Sequence, residues 1–328
     1  MRVDLQSERR IELVEINLNE SLDDQGPFHV IVHKLTDLMI DEMDGNEKAA
    51  KYLSHFQCYL ERNPGTVLVD PLHSIRRLLN RYETYKLISE TKLCKQDHVI
   101  HVPSFALILS RNKEEILAQM RDANVHFPIM CKKNIAHGSE SHKMSIIFNE
   151  HGLDNVDPPC VAQTFVDHNA MLYKIFVIAN KYQMVERPSL INFSRPEWND
   201  HSTIFFNSHD ISSADSLRSE LTTLGKGEDH CGKIDSEIVH RLTQQLHQEV
   251  QMSMYGIDII VCPKTLKHYI IDVNVFPSYD GVDGYHAMLA DHIASTIDRQ
   301  STSVDLLNIK KGERRLFNGI HAKVNDPL

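Results

Sequence analysis

The stretch YGIDIIVCPKTLKHYIIDVNVFP, residues 255–277, predicts two β-strands joined by a short polar turn. The two apolar runs flank the turn PKTLK, so the strands can pair as a hairpin. Asp272 and Asn274 lie two residues apart in the second strand, and their side chains therefore point to the same face of the sheet. Asp258 lies in the first strand. The hairpin is thus expected to bring two carboxylates and one amide together.

Carboxylate and amide oxygens are the hard ligands that Mg²⁺ prefers, and Mg²⁺ takes its remaining ligands from water and phosphates. The hairpin therefore predicts a magnesium site at Asp258, Asp272 and Asn274. Taken alone, the same pattern also fits acidic residues that simply face solvent at the end of a strand, so further signals are needed.

Outward from the hairpin, the chain predicts a fold that is α/β and in part α+β. The first ninety residues alternate strands with helices, which indicates a mainly parallel sheet. Strands are predicted at 11–19, 29–37 and 66–72, and helices at 39–60 and 75–90. Residues 102–187 contain several short β segments and the predicted helix RNKEEILAQMRDA, which indicates an antiparallel sheet with one helix or two. A helix is predicted at IDSEIVHRLTQQLHQEV, shortly before the hairpin.

Composition narrows the functional classes. The chain has 328 residues, of which 41% are apolar, and its formal net charge is −10. An acidic balance disfavours nucleic-acid binding and broad binding to membrane surfaces, both of which need a basic face. No apolar run approaches the roughly 18 residues of a membrane span, and the N-terminus MRVDLQSERR lacks a signal core. The six cysteines form no CxxC pair. These features predict a cytoplasmic protein without membrane insertion.

Two further segments carry cations. HFPIMCKK (126–133) ends in lysines and precedes the loop NIAHGSESHKM, and such a strand-to-loop junction can hold nucleotide phosphates. The loop has one glycine, Gly138, and matches neither common phosphate-loop fingerprint. Lys174 interrupts an apolar strand, where burial is costly unless the charge meets an anion. Taken alone, the first segment also fits a solvated hairpin turn, and Lys174 also fits a lysine at the protein surface.

Together, these segments resemble the inositol 1,3,4-trisphosphate 5/6-kinase family, which includes the inositol-tetrakisphosphate 1-kinases. The resemblance covers roughly residues 8–298 and rests on VIVHKLTD, VDPLHSIRRLLNR, FPIMCKKNIAHGSESHKM, PPCVAQTFVDHNAMLYKIFVI, ERPSLINFS, IFFNSHDIS, GIDIIV and IIDVNVFP. It implies an ATP-grasp fold with three subdomains. These are an N-terminal α/β domain at 1–90, a central subdomain at 91–186 and a C-terminal subdomain with the metal site at 187–310, followed by a polar tail at 311–328.

The resemblance implies a kinase that transfers the γ-phosphate of ATP to a hydroxyl of a soluble inositol polyphosphate, as a monomer and with two Mg²⁺ ions. The implied catalytic residues are Lys132, Lys174 and Asp272. The implied ATP contacts are Arg81, Lys132, Gln163, Thr164, Phe165, Val166, Lys174, Ser189, Ser208 and Ser212. The implied substrate contacts are Lys34, His137, His142, Lys174, Arg187, Asn274 and Ser278. The implied metal ligands are Asp258, Asp272 and Asn274.

The chain departs from the family pattern at two places. Ser278 stands where the family has glycine, and its Cβ is a hindrance if a ligand must approach the backbone closely. The family also has an additional strand and most of a helix before residues 11–19, with a substrate-binding lysine that has no counterpart here. The resemblance therefore predicts an N-terminal parallel domain that lacks its first strand.

Two other functional classes stay open at this stage. An ATP-grasp carboxylate–amine ligase would share the magnesium triad and the ATP cleft, although the cationic segments favour a polyphosphate acceptor. A non-catalytic protein that binds an inositol phosphate or a nucleotide is the second alternative. The intact metal triad disfavours it, whereas the short N-terminus is compatible with it.

Overall fold

The computed structural model describes residues 2–4, 10–96, 99–193, 198, 200–212, 220–223 and 234–299. Two units divide this part of the chain. One takes the described residues up to Val32, Lys51–Val69 and the described residues from Gly284 on, and the other takes His33–Ala50 and Asp70–Asp283. The predicted tail at 311–328 lies outside the described residues, and the three predicted subdomain boundaries stay predictions. In the described ranges, no helix is both long enough and apolar enough to cross a membrane.

The strands are, in chain order, β1 (Arg2–Asp4), β2 (Arg10–Glu12), β3 (Val30–Val32), β4 (Val67–Val69), β5 (Ile100–His101), β6 (Phe105–Ile108), β7 (Ile129–Lys133), β8 (Lys143–Ile147), β9 (Cys160–Thr164), β10 (Met171–Ile178), β11 (Lys181–Pro188), β12 (Thr203–Asn207), β13 (Met254–Val261) and β14 (His268–Val275). The helices are α1 (Leu22–Gln25), α2 (Thr36–Met43), α3 (Glu47–Arg62), α4 (Leu72–Leu78), α5 (Arg81–Glu90), α6 (Lys92–Gln96), α7 (Lys113–Asp122), α8 (Ser208–Ser212), α9 (Ser236–Val250) and α10 (285–299). Two 3₁₀ turns lie at Ser139–His142 and Glu150–Asn155.

The first unit contains two small sheets. β1 pairs with β2 in antiparallel orientation, whereas β3 and β4 form the parallel pair that the sequence predicts for this region. The strand predicted at 11–19 is wrong beyond Glu12, because residues 13–17 form no strand. Asn17 explains the difference: its side-chain oxygen accepts a hydrogen bond from the backbone N–H of Asn19, and such local bonds compete with strand pairing.

The second unit is built around two five-stranded sheets. The first sheet, which we call the central sheet, has the order β12-β8-β7-β9-β6 and is antiparallel throughout. The single antiparallel sheet predicted for this region is wrong in one respect, because β10 and β11 pair within the second sheet instead. The second, the C-terminal sheet, has the order β11-β10-β13-β14-β5, and only the β14–β5 pairing is parallel. In β7, Ile129 and Cys131 pack with α7 in the apolar core. Because side chains alternate along a strand, Met130 and Lys132 point to the opposite face.

Two helical stretches that were predicted as continuous are broken in the structure. Residues 75–90 divide between α4 and α5, because Asn80 caps α5 by accepting a hydrogen bond from the backbone N–H of Glu83. The stretch 39–60 divides at Gly45, whose φ of 88° belongs to the left-handed region. The first break matters for the site, since it starts a new helix with Arg81 in its first turn.

Candidate active site

A cleft of about 740 Å³ lies in the second unit, and its wall includes every predicted site residue except Arg81. The residues come from both five-stranded sheets, from the loop after β7 and from the short helix α8. Four Lys or Arg side chains and four Asp side chains line the cleft: Lys34, Lys132, Lys174, Arg187, Asp37, Asp258, Asp272 and Asp280. A polyphosphate in this cleft therefore meets cations that are balanced by an equal number of carboxylates.

The predicted hairpin is confirmed as β13 and β14. Asp258 lies directly opposite Asp272, and Gly256 lies opposite Asn274, with a register shift immediately after Asp258. All three predicted metal ligands line the cleft. No three His, Cys, Asp or Glu side chains gather into a metal site within the described ranges, so this set depends on the amide oxygen of Asn274 as its third protein donor. Two carboxylates and an amide on adjacent strands suit a hard divalent ion.

Arg81 lies behind this carboxylate cluster rather than on the cleft wall. Its Nη1 forms a buried ion pair with Asp272, and its Nε donates to the backbone oxygen of Lys133 at 3.1 Å. Burial raises the pKa of Asp272, but the charges of Arg81 and Lys132 outweigh burial and hold that pKa below its ordinary value. Asp272 is therefore ionised at neutral pH, and its charge is balanced from the side away from the cleft.

Lys132 is held by three neutral acceptors. Its Nζ donates to Tyr85 Oη at 3.0 Å, to Gln163 Oε1 at 3.1 Å and to the backbone oxygen of Ile271 at 2.8 Å. The residue is only 5% exposed. Burial lowers the pKa of Lys132 to about 8, although the nearby charge of Asp272 opposes that effect. The lysine thus lies at the base of the cleft with its ammonium group already oriented.

Tyr85 is a residue that the sequence reasoning missed. It lies one helical turn after Arg81 on α5, and both side chains are buried. The usable signal was the i,i+4 spacing of an arginine and a tyrosine on one helix face, which places the two groups side by side. That spacing indicates a shared environment but does not reveal which groups the pair meets.

The segment after β9 is fixed by a buried histidine that was also missed. His168 Nδ1 donates to the backbone oxygen of Val166 at 2.7 Å, and the hydroxyl of Ser189 donates to His168 Nε2 at 2.7 Å. Burial lowers the pKa of His168 to about 4, so the ring is neutral near pH 7. Phe165 packs edge-on against Phe193, with ring centroids 5.1 Å apart. These contacts fix residues 163–166, which were predicted as ATP contacts, as one wall of the cleft.

The loop after β7 brings two histidines to the cleft. Gly138 has a φ of 80°, which lets the loop turn back into the 3₁₀ turn. His142 Nδ1 lies 3.1 Å from Ser208 Oγ, and its ring centroid is 3.9 Å from that of His209. Burial lowers the pKa of His142, and the neighbouring positive charges lower it further. His137 Nε2 lies 2.7 Å from Asp37 Oδ1.

Among these residues, His209 and Asp37 were not predicted. His209 belongs to the polar segment NSHD, in which Ser208 was predicted instead. Asp37 belongs to HKLTD, in which Lys34 was predicted instead. Ser212, which was predicted, donates its hydroxyl hydrogen to the backbone oxygen of Ser208 at 3.0 Å, a bond within α8. Its oxygen keeps its lone pairs for another donor.

The remaining predicted substrate residues lie around the loop after β14. Lys34 Nζ lies 5.7 Å from the centre of the Phe276 ring. Arg187 Nη2 donates to the backbone oxygen of Asp280 at 2.9 Å, and Ser278 Oγ donates to Asp280 Oδ2 at 2.8 Å.

Ser278 occupies its position in this loop without backbone strain. The loop residues with positive φ are Phe276, Tyr279, Gly281 and Gly284, and Ser278 is not among them. Serine in place of the family's glycine is therefore compatible with the backbone conformation found here.

Sequence comparisons relate both parts of the chain to one family. Residues 94–295 match the model described as "Inositol 1,3,4-trisphosphate 5/6-kinase ATP-grasp domain", and residues 2–75 match the corresponding "pre-ATP-grasp domain". A protein of Xenopus laevis named inositol-tetrakisphosphate 1-kinase is 40% identical over 308 residues, which cover 94% of this chain and 77% of the relative. A Danio rerio protein of the same name is 39% identical and covers 91% of this chain and 75% of the relative.

Two ligases of known structure also match parts of this chain. The D-alanine–D-alanine ligase of Helicobacter pylori matches with a TM-score of 0.44 and 14% identity over 74% of this chain and 68% of the ligase. The corresponding ligase of Coxiella burnetii matches with a TM-score of 0.45 and 13% identity over 80% of this chain and 68% of the ligase.

Proposed function

This chain belongs to the inositol 1,3,4-trisphosphate 5/6-kinase family, and from that premise we propose that its cleft aligns ATP, magnesium and an inositol polyphosphate for transfer of the γ-phosphoryl group. The enzyme is an inositol polyphosphate kinase with an ATP-grasp domain. One observation carries the assignment of the site. The lysines Lys132 and Lys174 line the same cleft as the oxygen donors of β13 and β14.

ATP is proposed to lie between the central and the C-terminal sheets. Residues 163–166 form the wall against the base, since the bonds of His168 to Val166 and Ser189 hold this segment in place. Lys132 and Lys174 face the phosphates, and Ser208 and Ser212 offer hydroxyl groups from α8. Fixed donors of this kind stabilise developing charge without reorganising during the reaction.

Magnesium fits the donor set of Asp258, Asp272 and Asn274. When bound by these three residues, it would supply positive charge that neutralises charge on the transferring phosphoryl group. The charges of the cleft support the need for such a cation. The Lys and Arg side chains that line it are matched in number by Asp side chains, so they leave no excess positive charge for the phosphates of ATP. The number of metal ions, proposed to be two, is part of the same proposal.

The acceptor is proposed to bind beside the histidine loop. His137 and His142 lie on that loop, and Lys34 and Arg187 line the same cleft. Cations and imidazoles on one wall suit the several phosphates of an inositol polyphosphate, whereas a carboxylate acceptor needs fewer of them. Lys174 holds a position between the acceptor and ATP in this proposal. The proposal also includes that the enzyme is cytoplasmic and monomeric, which is supported by composition and by the family resemblance.

The decisive experiment incubates purified protein with ATP, Mg²⁺ and a panel of inositol phosphates, and separates the products by charge. We expect one inositol phosphate to gain a phosphate while an equal amount of ADP forms. Asp258→Asn, whose ion-pair partner Lys174 is partly exposed, serves as the low-activity control. A parallel panel of carboxylate and amine acceptors tests the ligase alternative. Ligation with release of inorganic phosphate, or binding of both ligands without turnover, would overturn the kinase proposal.

A further inference from the structure

The ammonium group of Lys132 has all its hydrogen bonds satisfied within the protein. An ammonium group carries three hydrogens, and three acceptors surround this one: Tyr85 Oη, Gln163 Oε1 and the backbone oxygen of Ile271. A nucleotide that binds Lys132 must therefore replace one of these acceptors. The two acceptors that stay decide where the ammonium group points during binding.

Tyr85 connects Lys132 to the strand that carries the proposed metal ligands. Lys132 belongs to β7 of the central sheet, whereas Ile271 belongs to β14 of the C-terminal sheet. The Tyr85 hydroxyl accepts from Lys132 Nζ and donates to the backbone oxygen of Ile271 at 2.6 Å. It thus uses both its donor and one acceptor position to link the two sheets at the base of the cleft.

We propose that Tyr85 is a positioning residue for nucleotide binding, which keeps Lys132 Nζ aimed into the cleft when a nucleotide oxygen replaces another acceptor. The proposal rests on the proposed ATP-binding function of the cleft. Tyr85 itself is fully buried and does not line the cleft, so it acts through Lys132. Without the hydroxyl, the lysine ammonium group loses one hydrogen-bond acceptor and its side chain is free to adopt more rotamers. Nucleotide binding must then restrict these rotamers, and the entropy cost lowers the affinity.

The alternative role of Tyr85 is that of an ordinary core aromatic residue. Its ring packs edge-on against Phe105, with centroids 5.4 Å apart. Tyr85→Phe keeps this ring contact and removes only the hydroxyl. Tyr82 supplies a matched control, because it lies on the same helix and packs edge-on against the same Phe105 ring at 5.6 Å. The Tyr82 hydroxyl is not one of the three acceptors around Lys132.

The test measures binding of a non-hydrolysable ATP analogue with Mg²⁺ by calorimetry in wild type, Tyr85→Phe, Tyr82→Phe, Lys132→Met and the Tyr85→Phe/Lys132→Met double variant. Because the less anchored lysine side chain must then be ordered on binding, about fivefold weaker binding is expected for Tyr85→Phe. Tyr82→Phe should bind as wild type does. If Tyr85 acts through Lys132, the double variant binds no more weakly than Lys132→Met alone.

Two further readouts separate positioning from simple stabilisation. The KM for the inositol phosphate should stay at the wild-type value in Tyr85→Phe while the KM for ATP rises, a split that general loosening of the fold does not produce. Wild-type binding by Tyr85→Phe, or a loss that adds fully to that of Lys132→Met, would overturn the proposal while the ATP site stands. Failure of the wild-type protein to bind the analogue would overturn both proposals.

Discussion

Lys174 and Asp258 lie directly opposite each other on β10 and β13, and Lys174 Nζ is 3.0 Å from Asp258 Oδ2. A residue predicted to bind the phosphates and a residue predicted to bind the metal are therefore partners of one ion pair. The metal needs the carboxylate of Asp258, and the phosphates need the ammonium group of Lys174. Each ligand must therefore displace or bind beside the other partner of this ion pair, and this couples metal binding to phosphate binding.

Lys174→Met tests that coupling. Removing the cation should strengthen binding of Mg²⁺ measured without nucleotide, by several-fold, because Asp258 then faces the metal without a competing charge. The same change should lower kcat/KM by at least tenfold, since phosphate screening is lost. Calorimetric titration with Mg²⁺ and steady-state kinetics measure the two effects. Lys113→Met is the control, because Lys113 forms an exposed ion pair with Asp154 at 2.7 Å and does not line the cleft.

Weaker Mg²⁺ binding in Lys174→Met would contradict the coupling, because it would mean that the lysine helps to form the metal site. The control variant should match wild type in both measurements.

Asp272→Asn should impair both catalysis and stability. Removing one preorganised charge predicts a loss of about 2–4 kcal/mol in transition-state stabilisation, most visible at limiting Mg²⁺. From the sequence alone, this change is expected to leave the melting temperature nearly unaltered. The structure corrects that expectation, because Asn leaves the buried charge of Arg81 without its carboxylate partner. The free energy of unfolding should fall by about 3–5 kcal/mol.

Asp258→Asn provides the comparison for that prediction. Its partner Lys174 is partly exposed, so the lysine can reach water when the charge of Asp258 is removed. We expect both variants to lose activity and only Asp272→Asn to lose several degrees of thermal stability. Equal melting temperatures in the two variants would show that the pair with Arg81 contributes little to stability.

Lys132→Met and His142→Ala should impair the use of different substrates. Lys132 lies at the base of the cleft next to Gln163, whereas His142 lies on the loop with its ring against His209. Lys132→Met should raise the KM for ATP about tenfold or more, and His142→Ala should raise mainly the KM for the inositol phosphate. Titration of each substrate at saturating concentration of the other measures the split. Parallel losses for both substrates in both variants would argue against separate roles.

Acid should destabilise the protein through His168. Its pKa is about 4 in the folded protein and 6.5 in the unfolded chain, so the unfolded chain binds the proton first as the pH falls. Stability is therefore lost between about pH 6.5 and pH 4, and the difference in pKa corresponds to roughly 3 kcal/mol at the acid end.

His168→Asn tests this pH dependence, because Asn keeps a donor for the backbone oxygen of Val166 but does not titrate. Chemical denaturation at pH 7 and at pH 5 should show a smaller loss in this variant than in wild type. His126→Asn, which replaces an exposed histidine by the same residue type, serves as the control. An identical pH dependence in His168→Asn and wild type would refute the role of His168.

The ordered set of segments predicted the family, whereas patterns within single segments were enough to predict the α/β fold class and the hairpin of β13 and β14. The hairpin is local: two apolar runs and a short turn determine which strands pair, and a period of two determines that Asp272 and Asn274 share a face. The same local reasoning misplaced the strand predicted at 11–19, because it could not weigh the hydrogen bonds of Asn17 against strand pairing.

Only the tertiary structure decided which groups meet inside the cleft. Arg81 and Asp272 are 191 residues apart in the chain, and Tyr85 and Ile271 are 186 residues apart. No periodicity in the sequence encodes such a pair, because each partner is placed by its own helix or strand and the contact depends on how those elements pack. The sequence by itself determined which residues could do the chemistry. Packing decided that Arg81 supports the metal site from behind and that Lys132 is held by Tyr85, since buried charges and donors must find partners wherever the fold provides them.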